Sequence, residues 1–227
     1  LVQVEKGTES RYSTIINFAG ERTILEYAVS RQYVLPANLP ETTWVYLSSV
    51  GPDYEDFFAE LAGYVVKSNI KMAFNPANAQ LEKPYDTYRG VIESAFLLVL
   101  NKQEAEKMLG IATDDLKKLL FGLRDLGPKV VVITDGKNGS CAYDGDKYWQ
   151  IGIFNLPVVQ RTGAGDAYAA GFMAALIKGA AVPVAMGWGA VNAASVVSKE
   201  GTQTGLLTST EMQTFLDKNV DFSAKEI

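Results

Sequence analysis

Histidine is absent from this chain, and cysteine occurs once, at Cys141. The first absence removes Ser-His-Asp triads, His-ligated zinc and imidazole bases. Catalysis would have to run on carboxylates, lysine or arginine, hydroxyls and backbone dipoles. A lone cysteine forms neither an internal disulfide nor a thiolate cluster, which fits a reducing compartment, the cytoplasm by default. Positive charge is also short: Lys+Arg 21 against Asp+Glu 26 gives a net charge of −5. That balance argues against a nucleic-acid surface, which usually carries a basic stripe. No apolar run is long enough to span a bilayer, and no charged-then-apolar leader opens the chain. The sequence starts at Leu1 rather than Met, so a fragment or a processed product is expected.

What is present points to one large α/β domain: 227 residues, 48% hydrophobic and 21% charged. Residues 12–18 and 22–27 read as a hairpin turning at Ala19-Gly20-Glu21, with enough polar positions to expose at least one face. Trp44–Leu47 reads as a compact buried-type strand. A helix follows over 53–67, with Phe57, Leu61, Tyr64 and Val65 on one face. Lys71–Asn75, Phe96–Leu100 and Lys129–Thr134 are short apolar strands of the kind found in parallel sheets. Helices fall between and after them: 102–109 stopped by Gly110, one capped by Thr113, 163–178, 183–199, and a last one capped by Thr208 with Glu211. A second hairpin turns at Asp144-Gly145-Asp146. This alternation predicts a doubly wound, mostly parallel central sheet flanked by helices, with residues 1–40 as a small β lid region and 41–227 as the core. In such sheets ligands lie at the carboxyl ends of strands.

The most informative stretch is Thr162-Gly163-Ala164-Gly165-Asp166, leading into the alanine-rich segment Ala167–Leu176. Small residues at a helix start leave uncovered the N–H groups that the helix cannot satisfy internally. They also sit at the positive end of the helix dipole, a site suited to phosphate. A carboxylate at Asp166 would repel that anion unless it meets a proton on an attacking group. Alone, the string is an ordinary tight turn with a first-turn dipole partner. Asn101 and Glu104 share one face at a strand-to-helix junction, where an amide could reach phosphate and a carboxylate could hold Mg²⁺ through water. Alone, they read as an N-cap and its dipole partner. Thr134-Asp135-Gly136-Lys137-Asn138-Gly139 leaves a strand through two glycines, so backbone can approach a ligand closely.

The order Asn-x-x-Glu, Thr-x-Gly-x-x-Gly, Thr-Gly-Ala-Gly-Asp-x-Tyr-x-x-Gly-Phe, then Asn192-Ala193-Ala194 with Gly201, resembles the ribokinase-like (PfkB) carbohydrate kinases. The resemblance implies an ATP- and Mg²⁺-dependent enzyme that phosphorylates a hydroxyl of a sugar or sugar acid. It makes Asp166 the general base and Gly163, Ala164 and Gly165 the anion hole. It puts Asn101 and Glu104 beside Mg²⁺–triphosphate, with Glu104 the metal-side carboxylate. It lines the nucleotide with Thr134, Gly136 and Gly139 and sets Asn192 near the adenine. The hairpin becomes a lid that can pair two subunits into a homodimer, and the remaining partner is a small molecule, with no nucleic acid or membrane.

Two departures stand out. Gln160 takes the place of an Asp that helps hold a monovalent cation in the family, and Gly205 offers no side-chain ligand, so dependence on such a cation is not expected. The family's opening strand, its Asp for substrate hydroxyls and a Gly-Gly-x-x-x-Asn sugar segment do not precede the hairpin, so an N-terminally incomplete domain is expected. Two rivals follow: a non-catalytic nucleotide-binding or scaffold homologue, and a kinase of a nucleoside or a vitamin alcohol. A P-loop and the G-x-G-x-x-G fingerprint are excluded by spacing.

Overall fold

The structure is a computed structural model, and it describes residues 6, 7, 9, 10, 12–18, 21–27 and 29–227. Strands β1 (Tyr12–Phe18) and β2 (Glu21–Tyr27) form an antiparallel ribbon in which Tyr12 faces Tyr27 and Phe18 faces Glu21. Its expected turn at Ala19-Gly20 lies outside the described residues. Both faces are open: Tyr12, Ile15, Ile16, Ile24, Leu25 and Tyr27 are all exposed. After the ribbon, the Ser30 hydroxyl donates to Asp53, and the Gly51 N–H donates to the Tyr33 hydroxyl at 2.8 Å, tying the segment to the body.

The body alternates as its sequence predicts. Strand β3 (Trp44–Leu47) leads to helix α1 (Glu55–Lys67), then β4 (Lys71–Phe74), a short α2 (Asn78–Leu81) and α3 (Arg89–Ser94). Next come β5 (Leu97–Asn101), α4 (Lys102–Leu109), α5 (Leu116–Asp125) and β6 (Val130–Thr134). The hairpin β7 (Ser140–Tyr143) and β8 (Tyr148–Ile151) precedes α6 (Ala164–Ile177), α7 (Val182–Val197), α8 (Ser209–Lys218) and a two-residue β9 (Lys225–Glu226). One sheet runs in the order β3-β4-β5-β6-β7-β8-β9. Pairing is parallel from β3 to β6 and antiparallel from β6 onward, so β8 regains the direction of β6 and only β7 and β9 oppose the rest.

The two-residue period of a strand splits the core in two. Met72, Phe74, Leu98, Leu100, Val131 and Ile133 point to the face covered by α1, α3, α4 and α5. Their neighbours Ala73, Leu97, Val99, Val130 and Val132 point to the face covered by α6, α7 and α8. Fully burying one such Leu or Val contributes about 1.5–3 kcal/mol relative to leaving it exposed.

Several boundaries differ from the sequence reading. Asp115, not Thr113, caps α5: its carboxylate accepts from the Lys118 N–H at 3.1 Å, while the Thr113 hydroxyl accepts from Asp115 N–H. Both residues are capping types, and the carboxylate sits where the free amides are. Strand β3 is only half-buried and lies at the sheet edge, with Tyr46 40% exposed. Helix α1 buries Leu61 and Val65 as expected, adds Phe58 and Ala62 to the buried face, and leaves Phe57 and Tyr64 half-buried against the same core. The short α2, α3 and β9 carried no periodic signal long enough to read.

Candidate active site

The carboxyl ends of β3, β4, β5 and β6 and the start of α6 converge on one rim. Gly163 caps α6 with φ 87°, the left-handed region a glycine enters at no cost, and no side chain supplies a cap hydrogen bond. The first intrahelical donor is the Ala167 N–H, to the Gly163 carbonyl at 2.9 Å. The N–H groups of Ala164, Gly165 and Asp166 therefore have no acceptor within the helix. A Cβ placed on Gly165 would meet nothing within 4 Å, so the cradle is open. Asp166 is exposed in the first turn and has no ion pair or hydrogen bond among the described residues.

Facing it, Asn101 and Glu104 form a reciprocal capping box at the start of α4. Asn101 Oδ1 accepts from the Glu104 N–H and Glu104 Oε2 from the Asn101 N–H, each at 2.8 Å. Burial raises the Glu104 carboxyl above its ordinary value, the Asn101 hydrogen bonds oppose this, and the charge of Asp166 adds to it. The two carboxylates thus feel one another across the rim. No group of three His, Cys, Asp or Glu able to hold a metal occurs among the described residues.

The remaining expected residues separate. Thr134 ends β6 half-buried, and Gly136 (φ 50°) has open space around it. Gly139 has a packing reason of its own: a Cβ there would stand 2.0 Å from the Ile151 carbonyl oxygen. Asn192 is placed differently from expectation. It is 3% exposed, its Nδ2 donates to the Ala167 carbonyl at 2.7 Å, and its Oδ1 accepts from the Leu207 N–H at 3.0 Å. With both ends of its amide committed, Asn192 clamps α6 to the 201–207 loop instead of lining a cavity. A second tie, Ser140 hydroxyl to Tyr168 hydroxyl at 2.7 Å, pins α6 to β7 in the core. Gln160 Nε2, just before the cradle, is buried with no hydrogen-bond partner.

Sequence reading missed Tyr46 and Asn75, at the ends of β3 and β4. The Tyr46 hydroxyl donates to Asn75 Oδ1 at 3.3 Å, and Asn75 Nδ2 donates to the Val99 carbonyl at 2.8 Å. Neither residue belongs to a string motif; the only available signal was a polar side chain near the carboxyl end of each of two adjacent apolar strands.

A mostly parallel sheet flanked by helices on both faces, with an open helix start on the rim of strand carboxyl ends, defines the α/β class. The sequence profile described as pfkB family carbohydrate kinase matches residues 1–209, and the chain belongs to that family. A nucleoside kinase of Methanothermobacter thermautotrophicus is 42% identical over 87 residues, 38% of this chain and 28% of that protein. A 5-dehydro-2-deoxygluconokinase of Geobacillus kaustophilus is 30% identical over 155 residues, 63% of this chain and 46% of that protein. The aligned stretches thus span less than half the length of these curated relatives. Among solved structures, the nucleoside kinase of Methanocaldococcus jannaschii, described as an archaeal member of the ribokinase family, superimposes with TM-score 0.74 at 24% identity, over 94% of this chain and 70% of that one. A ribokinase from Thermotoga maritima does so with TM-score 0.75 at 22% identity, over 92% and 70%. No helix among the described residues is long and apolar enough to cross a membrane.

Proposed function

We propose that this chain carries the phosphoryl-transfer site of an ATP-dependent kinase whose acceptor is a hydroxyl of a sugar, a sugar acid or a nucleoside. The observation that carries the reading is Asp166, an unpaired carboxylate beside open helix-start amides. The donor set fits Mg²⁺–ATP: free amides suit phosphate oxygens, and one half-buried carboxylate without a protein cage suits an ion that keeps water and phosphate ligands. Glu104 would hold Mg²⁺ through water, Asn101 would reach the phosphates, and Thr134, Gly136 and Gly139 would line the nucleotide. Asn192 acts at one remove, by holding α6 in place. Bound Mg²⁺–ATP supplies the phosphoryl group and offsets its charge.

The Gly163, Ala164 and Gly165 amides then hold the transferring group's oxygens. A preorganised donor of this kind is typically worth about 3–4 kcal/mol of barrier. Asp166 takes the acceptor's proton as its oxygen begins to bond phosphorus, which removes positive charge from the nucleophile without leaving a free alkoxide. On this reading the β1–β2 ribbon serves as the lid of the 41–227 core, and the apolar residues open on both its faces favour a homodimer through it. The setting is cytoplasmic, with a small-molecule acceptor and no nucleic-acid or membrane partner.

The test is ADP release from ATP and Mg²⁺ with ribose, fructose, adenosine and 5-dehydro-2-deoxygluconate as acceptors. At least one should give ADP; nucleotide binding with no ADP from any would favour a non-catalytic scaffold.

A further inference from the structure

Helix α6 carries the cradle and Asp166 on its first turn, yet its surface is smooth: eight of its 14 residues are Ala or Gly. Shallow ridges fix the slide and rotation of a helix only weakly. Tyr168, two residues beyond Asp166, lies against α7, where a Cβ on Gly189 would stand 3.1 Å from its ring. Phenylalanine would fill that space as well, so the hydroxyl serves another end. It shares a 2.7 Å hydrogen bond with the hydroxyl of Ser140, and both residues are buried. Burial holds the phenol well above its ordinary range, so the pair stays neutral. Ser140 in turn is the root of the 134–139 turn, since it pairs with Thr134 across β6 and β7. The Asp135 N–H donates to the Gly139 carbonyl and Asn138 Nδ2 to the Asp135 carboxylate, each at 2.8 Å, which stiffens that turn. One directional bond thus joins a stiff turn to a helix whose apolar packing sets its register loosely.

We propose that Ser140 and Tyr168 are positioning residues for phosphoryl transfer: their hydroxyl pair sets the 134–139 turn, and the nucleotide on it, in line with the cradle at the start of α6. This rests on the kinase reading. Neither hydroxyl touches a reacting atom, and each half of the site keeps its own local bonds without the pair. Loss of the pair therefore acts on kcat rather than on nucleotide affinity.

Ser140→Ala, Tyr168→Phe and the double variant separate this role from plain stability. Each single variant leaves one buried hydroxyl unpaired and should lower the melting temperature. The double variant leaves no orphan, so its melting temperature should return close to wild type. With whichever of ribose, fructose, adenosine or 5-dehydro-2-deoxygluconate gives ADP, kcat should nevertheless stay roughly tenfold down in all three, less than the cost of a full 1 Å misplacement. Calorimetric Kd for Mg²⁺–ADP should match wild type. Cys141→Ala, on the same strand but facing the opposite layer, should lower the melting temperature and keep kcat. A double variant whose kcat recovers along with its melting temperature overturns this proposal, because the pair is then structural only, and leaves the kinase reading standing. A loss of kcat matched by weaker Mg²⁺–ADP binding, or an equal loss in Cys141→Ala, overturns it too. No ADP from any of the four acceptors with the wild type removes the kinase reading first, and this proposal with it.

Discussion

The two sides of the rim are built differently. The cradle side rests on α6 and α7, whose inward residues are nearly all buried and whose first turn is held by the Asn192 clamp and the Ser140–Tyr168 bond. The other side is the edge strand β3, with an exposed tyrosine, beyond a ribbon open on both faces. Phosphate chemistry is the same for every acceptor and tolerates a rigid, preorganised cradle. Acceptor recognition differs between relatives, as the names of the nucleoside kinase and the dehydrodeoxygluconokinase indicate. Variation is least disruptive at a sheet edge, where fewer buried contacts depend on each side chain.

This contrast can be broken at the cradle. Gly165→Val should fold, because nothing stands within 4 Å of the added Cβ, yet it fills the space a phosphoryl oxygen needs. A fall in kcat/KM of about 10²–10³ is expected, read by steady-state ADP release, with an unchanged melting temperature. A smaller effect is expected where the sides meet. Glu104→Gln keeps the capping-box acceptor but removes the charge, and should raise the Mg²⁺ concentration for half-maximal rate about tenfold, measured by Mg²⁺ titration.

Alkaline pH sharpens the comparison without mutation. Burial lifts the Cys141 thiol in the core from 9.0 to about 11, and burial with the Asp166 charge lifts Tyr46 on the edge from 10.0 to about 12. A group whose folded pKa lies above its unfolded value stabilises the fold below the unfolded pKa and loses that contribution as pH rises through the folded one. Melting temperature should hold to about pH 9 and then decline to about pH 11 as the Cys141 contribution is lost, with Tyr46 adding to the decline from about pH 10. Cys141→Ala should delay the onset toward pH 10. The smallest effect concerns Gln160, a neutral amide with an unpartnered donor where the family's pattern has a carboxylate. Rates in potassium and in a bulky organic cation should agree.

The sequence was most legible where function is local. Gly110, the Thr208–Glu211 box and the Gly163–Asp166 turn each sit within a few residues of the helix end they define, and the structure places all three there. Asn101 and Glu104 close a capping box, the plainer of the two readings of that string. What escaped depends on pairing across distance. Tyr46 and Val99 lie on β3 and β5 and Asn75 just past the end of β4, and only the β3-β4-β5 register brings them together. The burial of Asn192 escaped for the same reason, since its partners Ala167 and Leu207 are 25 and 15 residues away.

The central claim is that a free carboxylate at the helix start accepts the acceptor's proton. Asp166→Asn tests it most directly, because the amide has the same shape and cannot serve as the base. With the best acceptor, kcat should drop by about 10²–10⁴, while calorimetric Kd for Mg²⁺–ADP stays at the wild-type value. Turnover at the wild-type rate in Asp166→Asn would contradict the account.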